Sequence, residues 1–193
     1  MSKVKASLYK KSIYDIGLSR EIEAMIWDFY VTKSISTSAS QGRKISDYGW
    51  NKLPFKEMIN SANITKDNVK IMPASSINET LKRYGLDTHT NKEEKEIEID
   101  ELKIVCLTPF TVADDNPPKP KMGEGESVLT HVRNAFAHGN TYFFDNENVM
   151  LEDKNKSIVT ARIIIKKQTL LDWIYIVDKE RKYYSPKNID YKE

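Results

Sequence analysis

Helical spacing governs the hydrophobic pattern over most of the chain, and strand-like runs crowd into one later stretch. Ile22, Met25, Ile26, Phe29 and Tyr30 stand at i, i+3, i+4, i+7 and i+8, one buried face of a helix, with Ser19 at an N-cap position before them. The stripe predicts a helix running to about Ile35, followed by a Ser- and Thr-rich loop from Ser34 through Gly42. Phe55 to Ala62 reads as a short helix opened by Pro54, and Ser76-Ile77-Asn78-Glu79 has capping-box spacing ahead of a helix that passes Leu81 and Tyr84 and stops at Gly85. Val128, Val132, Ala135 and Phe136 recur at helical spacing, and Gly139 follows as a C-terminal stop, so 126–139 is a helix. Three β-rich runs come next, Thr141 to Phe144, Val149 to Leu151 and Ile158 to Ile165. Asp145-Asn146-Glu147-Asn148 and Asp153-Lys154-Asn155-Lys156 separate them as turns, which predicts a small antiparallel meander. Leu170, Leu171, Ile174, Tyr175 and Val177 predict a last helix ending near Tyr183.

The remaining segments are less periodic. Between Lys92 and Cys106 both periods fit, and the β-branched content tilts the reading toward strand. Residues 111–125, with three prolines and two glycines, read as a loop. Residues 1–18 carry Lys3, Lys5, Lys10 and Lys11 before any acid and read as a basic, solvated leader or an arm that touches RNA phosphate, and 184–193 as a polar tail. The pattern as a whole describes a single, mainly helical (α+β) domain with a small β-meander inserted before the last helix.

Composition narrows the function classes. The chain has 193 residues, 30% of them charged and 39% hydrophobic, which fits one folded domain with a real core. Net charge is only +2, so a polyanion must be met by a local patch rather than by the field of the whole protein. The single cysteine, Cys106, lies in an apolar run; it excludes an internal disulfide and a cysteine-based zinc site, and points to a reducing cytoplasm. The chain shows neither a secretory signal core nor an apolar run long enough to span a bilayer, no glycine-rich phosphate loop and no metal-ligand spacing, so no membrane, cofactor or metal is expected.

Chemistry concentrates in Thr130-His131-Val132-Arg133-Asn134-Ala135-Phe136-Ala137-His138-Gly139, which holds two of the three histidines. The third, His89, lies in a polar stretch and reads as a surface residue. At about 100° per residue, His131, Asn134 and His138 share one polar face of the predicted helix, while Arg133 points partly away from His138. Arg133-Asn134-Ala135-Phe136-Ala137-His138-Gly139 resembles the Arg-polar-x-x-x-His signature of the HEPN superfamily, small helical domains that include RNA-cutting toxins and phage-defence nucleases. The resemblance implies a HEPN-like helical bundle and a metal-independent endoribonuclease, in a toxin–antitoxin pair or in phage defence. In RNA the ribose 2′-hydroxyl is the nucleophile, so cleavage needs proton transfer and positive charge but no metal-bound water. Arg133 would clamp a phosphate with two hydrogen bonds, His138 would carry a proton, and Asn134 would orient the His138 ring or hold a phosphate oxygen. His131 is a neighbour of the site, suited more to capping or packing than to catalysis. The resemblance also implies a homodimer that brings two such helices together, and an antitoxin partner protein. In many members of the superfamily a partner enzyme modifies a tyrosine shortly after the histidine; Tyr142 here is at a different spacing. The alternative function is a non-catalytic HEPN-like RNA-binding or dimerisation module.

Overall fold

The computed structural model describes residues 3–7, 17–35, 41–73, 76–87, 95–98, 101–108, 122–144 and 146–185. Among them are five α-helices: α1 (Arg20–Trp27), α2 (Phe55–Ser61), α3 (Ile77–Arg83), α4 (Glu124–Ala137) and α5 (Lys167–Val177). They pack on a mixed sheet of β1 (Lys3–Ser7), β2 (Val69–Met72), β3 (Lys95–Glu98), β4 (Lys103–Leu107), β5 (Thr141–Phe144), β6 (Asn148–Asn155) and β7 (Ile158–Lys166). The strand order is β2-β4-β7-β6-β5-β1-β3, with β2 parallel to β4 and every other pair antiparallel.

This architecture corrects the mainly helical, HEPN-like bundle expected from the sequence. The three strands β5, β6 and β7 are present, but they are the middle of a seven-stranded sheet rather than a small insert. The physical cause is visible in their side chains. Ile104, Val105 and Cys106 on β4, Val149, Met150 and Leu151 on β6, and Ile163, Ile164 and Ile165 on β7 are consecutive and all buried. A strand apolar on both faces needs cover on both faces. One face, through Ile104, Cys106, Phe143, Val149, Leu151, Ile163 and Ile165, packs under α1, α2, α4 and α5. The other, through Val105, Tyr142, Phe144, Met150 and Ile164, packs under Ile77 and Leu81 of α3 and under Leu86.

Several boundaries also move. The leader expected at 1–18 contributes β1, whose backbone pairs with β3 and β5. The expected 111–125 loop is shorter at its end: Gly123 is the N-cap of α4, with its N–H donating to Glu126 at 2.9 Å, and Gly125 lies inside the helix. A β-carbon at Gly125 would come within 2.5 Å of the Leu53 side chain, so close packing against the 53–55 segment explains a glycine in a helical turn. The first helix is capped by Ser19 as expected, then widens into a π-turn at Asp28–Thr32. The last helix ends at Val177, six residues before Tyr183. Asp178 stops it: its buried carboxylate accepts from the backbone N–H of Lys182 (3.0 Å), Tyr183 (2.8 Å) and Tyr184 (2.6 Å). Tyr184, expected in a polar tail, is buried, with its hydroxyl bonded to Asp28 and Arg43. His89, residues 8–16, most of the Pro-rich loop and residues 186–193 lie outside the described residues.

Candidate functional site

Helix α4 lies across β6, β4 and β7 on one side and meets the π-turn on the other. Val128, Leu129, Val132, Ala135 and Phe136 are buried, so the helix is fixed in rotation about its axis. Glu126, Thr130, Arg133 and Asn134 stay half-buried, and Ala137 and His138 are exposed. These residues form the open stripe of the helix, at i, i+4, i+7, i+8, i+11 and i+12.

The end of α4 is closed by backbone. Asn140 N–H donates to Ala135 C=O (2.8 Å) and Gly139 N–H to Phe136 C=O (3.1 Å), with Gly139 at φ +63°. This is the paired closure that a left-handed glycine makes possible. His138 is the C-cap residue, φ −99° and ψ 2°, and its N–H donates to Asn134 C=O at 3.0 Å. Its ring is exposed and makes no hydrogen bond among the described residues.

His131 points into the sheet, and Asn134 turns its amide toward the sheet from the edge of the open stripe. Asp153 sits two residues beyond the buried Leu151 on β6 and therefore shares its α4-facing side. It was expected in a turn, but the strand continues through Asn155, with a bulge between Asp153 and Lys154. Oδ2 of Asp153 is 2.7 Å from His131 Nδ1 and accepts from Asn134 Nδ2 at 2.9 Å. His131 Nε2 is 2.8 Å from the carbonyl oxygen of Leu107, the last residue of β4. That carbonyl also accepts from Ser127 Oγ at 2.5 Å. Both ring nitrogens of His131 are thus engaged, Nδ1 by the Asp153 carboxylate and Nε2 by a backbone carbonyl. Burial works against the charge on Asp153, but the hydrogen bonds from His131 and Asn134 outweigh it and hold the carboxyl below its usual value.

That direction fixes a pH dependence. A carboxyl with a lowered folded value stabilises the fold above the ordinary carboxylate range, and this stability is lost as the pH falls through the folded value. Asp153→Asn is therefore expected to show a shallower decline in urea midpoint than the wild type on acidification below roughly pH 4. Parallel declines would show that Asp153 does not carry the linkage.

Arg133 joins the same group from outside. Its Nη1 donates to Asn134 Oδ1 at 2.9 Å. The amide of Asn134 is thus occupied at both ends, oxygen toward Arg133 and nitrogen toward Asp153. It is not placed to orient the His138 ring. Arg133 Nε has no hydrogen-bond partner, and no acid lies within ion-pair distance of the guanidinium among the described residues. That Nε is buried, so an anion reaching the guanidinium as it stands would meet its Nη end.

The sequence motif is thus split. Arg133, Asn134 and His131 come together through Asp153, and His138 stands beyond them at the open end of the helix. Asp153 was missed because its neighbours Lys154, Asn155 and Lys156 read as turn. The available signal was its phase, i+2 from Leu151 and i+4 from Val149 on an inward-facing register. Tyr142 is buried on the α3 side of the sheet, opposite α4, and faces away from the motif. Cys106 is buried, and burial pushes its thiol up to about 12, so it is no nucleophile. No helix among the described residues is long and apolar enough to cross a membrane. Compared with family models, with curated proteins and with solved structures, the chain matches none.

Proposed function

We propose that this chain is a metal-independent endoribonuclease of HEPN type, acting in the cytoplasm as a toxin or phage-defence effector. The observation that carries the reading is the state of Arg133. Its half-buried guanidinium is anchored by an amide rather than neutralised by a carboxylate, on the same helical stripe as the exposed His138. A cation held in place without a countercharge favours a phosphate, and an unengaged imidazole nearby in sequence is suited to move a proton. A single chain supplies one arginine and one histidine. The open stripe of α4 is where a second copy would dock to complete a two-fold site, and a homodimer belongs to the same proposal. An antitoxin would act by covering that stripe.

The test is a purified chain with labelled RNA, with and without EDTA, with mass spectrometry of the fragment ends and light scattering of the same sample. Cleavage that survives chelation and leaves a 2′,3′-cyclic phosphate and a 5′-hydroxyl is the expected result, from a dimer. Products with a 5′-phosphate, or activity restored by a divalent ion, would overturn the mechanism. RNA bound but never cut would support a non-catalytic binding module instead.

A further inference from the structure

The polar chain that ends at Arg133 begins at residues outside the Arg–His motif. His131, anchored at its other nitrogen by Leu107 C=O, holds the Asp153 carboxylate from one side, and Asn134 donates to it from the other. A carboxylate only accepts and a guanidinium only donates, so with Asp153 in place the Asn134 amide has one workable orientation, and its oxygen must face Arg133. If Asp153 is removed, the amide is free to flip and to present its NH₂ to the guanidinium. We infer that Asp153 is the positioning residue of the Arg133 guanidinium, acting through Asn134, with His131 as the clamp that fixes the Asp153 carboxylate. The bulge at Asp153/Lys154 is consistent with this role, since bulges re-aim side chains next to functional sites. The sheet thereby sets the catalytic arginine: β4 contributes the carbonyl, β6 the carboxylate and α4 the two readers. The inference rests on the ribonuclease reading for its effect on cleavage, whereas the anchoring of Arg133 is testable without it.

The experiment therefore has two arms on the full chain. Arginine side-chain NMR reports rotation about the Cζ–Nη bonds of Arg133, assigned by loss of its signals in Arg133→Lys. Rotation is expected to be slow in the wild type and fast in Asn134→Leu and Asp153→Leu. It is expected to stay slow in Asp153→Asn, because an amide oxygen still accepts from both His131 and Asn134. Asn134→Leu leaves the His131–Asp153 pair intact and is read even if Asp153→Leu fails to fold. In the cleavage arm, Asn134→Leu and Asp153→Leu are expected to lose on the order of 10- to 10²-fold in kcat/KM, the scale of a misplaced catalytic group. Asp153→Asn is expected to recover part of that loss. In an Arg133→Ala background, Asp153→Leu should add no further loss, since the effect runs through Arg133. Arg133 rotation unchanged by Asn134→Leu overturns the positioning role whatever the RNA result. Additive losses in the Arg133→Ala background overturn it as well. A wild type that never cuts RNA, with Arg133 freed in the variants, overturns the ribonuclease reading and leaves the positioning role standing.

Discussion

His138→Ala is expected to fold as the wild type does and to cut RNA about 10²–10⁴-fold more slowly, the range of a positioned general acid or base. The two halves of this expectation have separate grounds. Stability is spared because the α4 terminus is closed by Gly139 and Asn140 through backbone bonds to Phe136 and Ala135, none of which involves the imidazole. The ring is exposed and makes no hydrogen bond among the described residues, so its removal opens no cavity. On the proposed ribonuclease reading, activity is lost because attack by the 2′-hydroxyl needs a proton removed and another delivered, and of the two described histidines His138 is the one free to do either. His131 cannot substitute, since both of its nitrogens are occupied in the sheet. Single-turnover cleavage and the urea midpoint, measured on the same preparation, decide the matter. An unchanged rate would remove His138 from the reaction, and a collapsed midpoint would give it a structural role instead.

Glu152→Leu is expected to cost about 3–5 kcal/mol of stability, the usual penalty for removing one member of a buried ion pair. Glu152 is fully buried on the α3 face of the sheet, directly across from Arg162 in the β6–β7 ladder. Its Oε2 accepts from Arg162 Nε at 2.7 Å, and Oε1 lies 2.5 Å from Lys154 Nζ. Arg162, 4% exposed, also donates to the Leu86 carbonyl, tying the segment after α3 to the centre of the sheet. Without Glu152 the guanidinium keeps its charge in an apolar layer with only that carbonyl as partner, and the loss comes mainly from its desolvation. The double variant Glu152→Leu, Arg162→Met should accordingly recover much of the stability, because no unpaired charge is then buried. Urea unfolding of the two variants provides the test. A single-variant loss below about 1 kcal/mol would place this pair with exposed salt bridges in its effect.

The sequence and the structure agree where a local signal is strong enough to act alone. The stripe from Ile22 to Tyr30 with Ser19 before it, Pro54 ahead of α2, and Gly139 behind α4 each specify an element through neighbours within a few residues. The meander strands and their order along the chain were legible for the same reason. The class of fold was not, because it depends on which strands pair. Val69 to Met72 lies far in sequence from its parallel partner β4, and Lys3 to Ser7 reads as a basic leader until β3 and β5 pair with it. The consecutive apolar residues of β4, β6 and β7 were the available warning that both faces of the sheet are covered.

By itself the sequence determined the C-terminal end and the apolar inner face of α4 and the placing of Arg133, Asn134 and His138 on one short helix, since helix periodicity and a glycine stop are local properties. Only the tertiary structure decided which of these residues face the sheet and which remain open. The carboxylate that sorts them, Asp153, arrives from 19 residues beyond Asn134 on a strand whose register is set by pairing with β7. A hydrogen bond between such partners depends on the chain's return path, and no residue pattern within α4 encodes it.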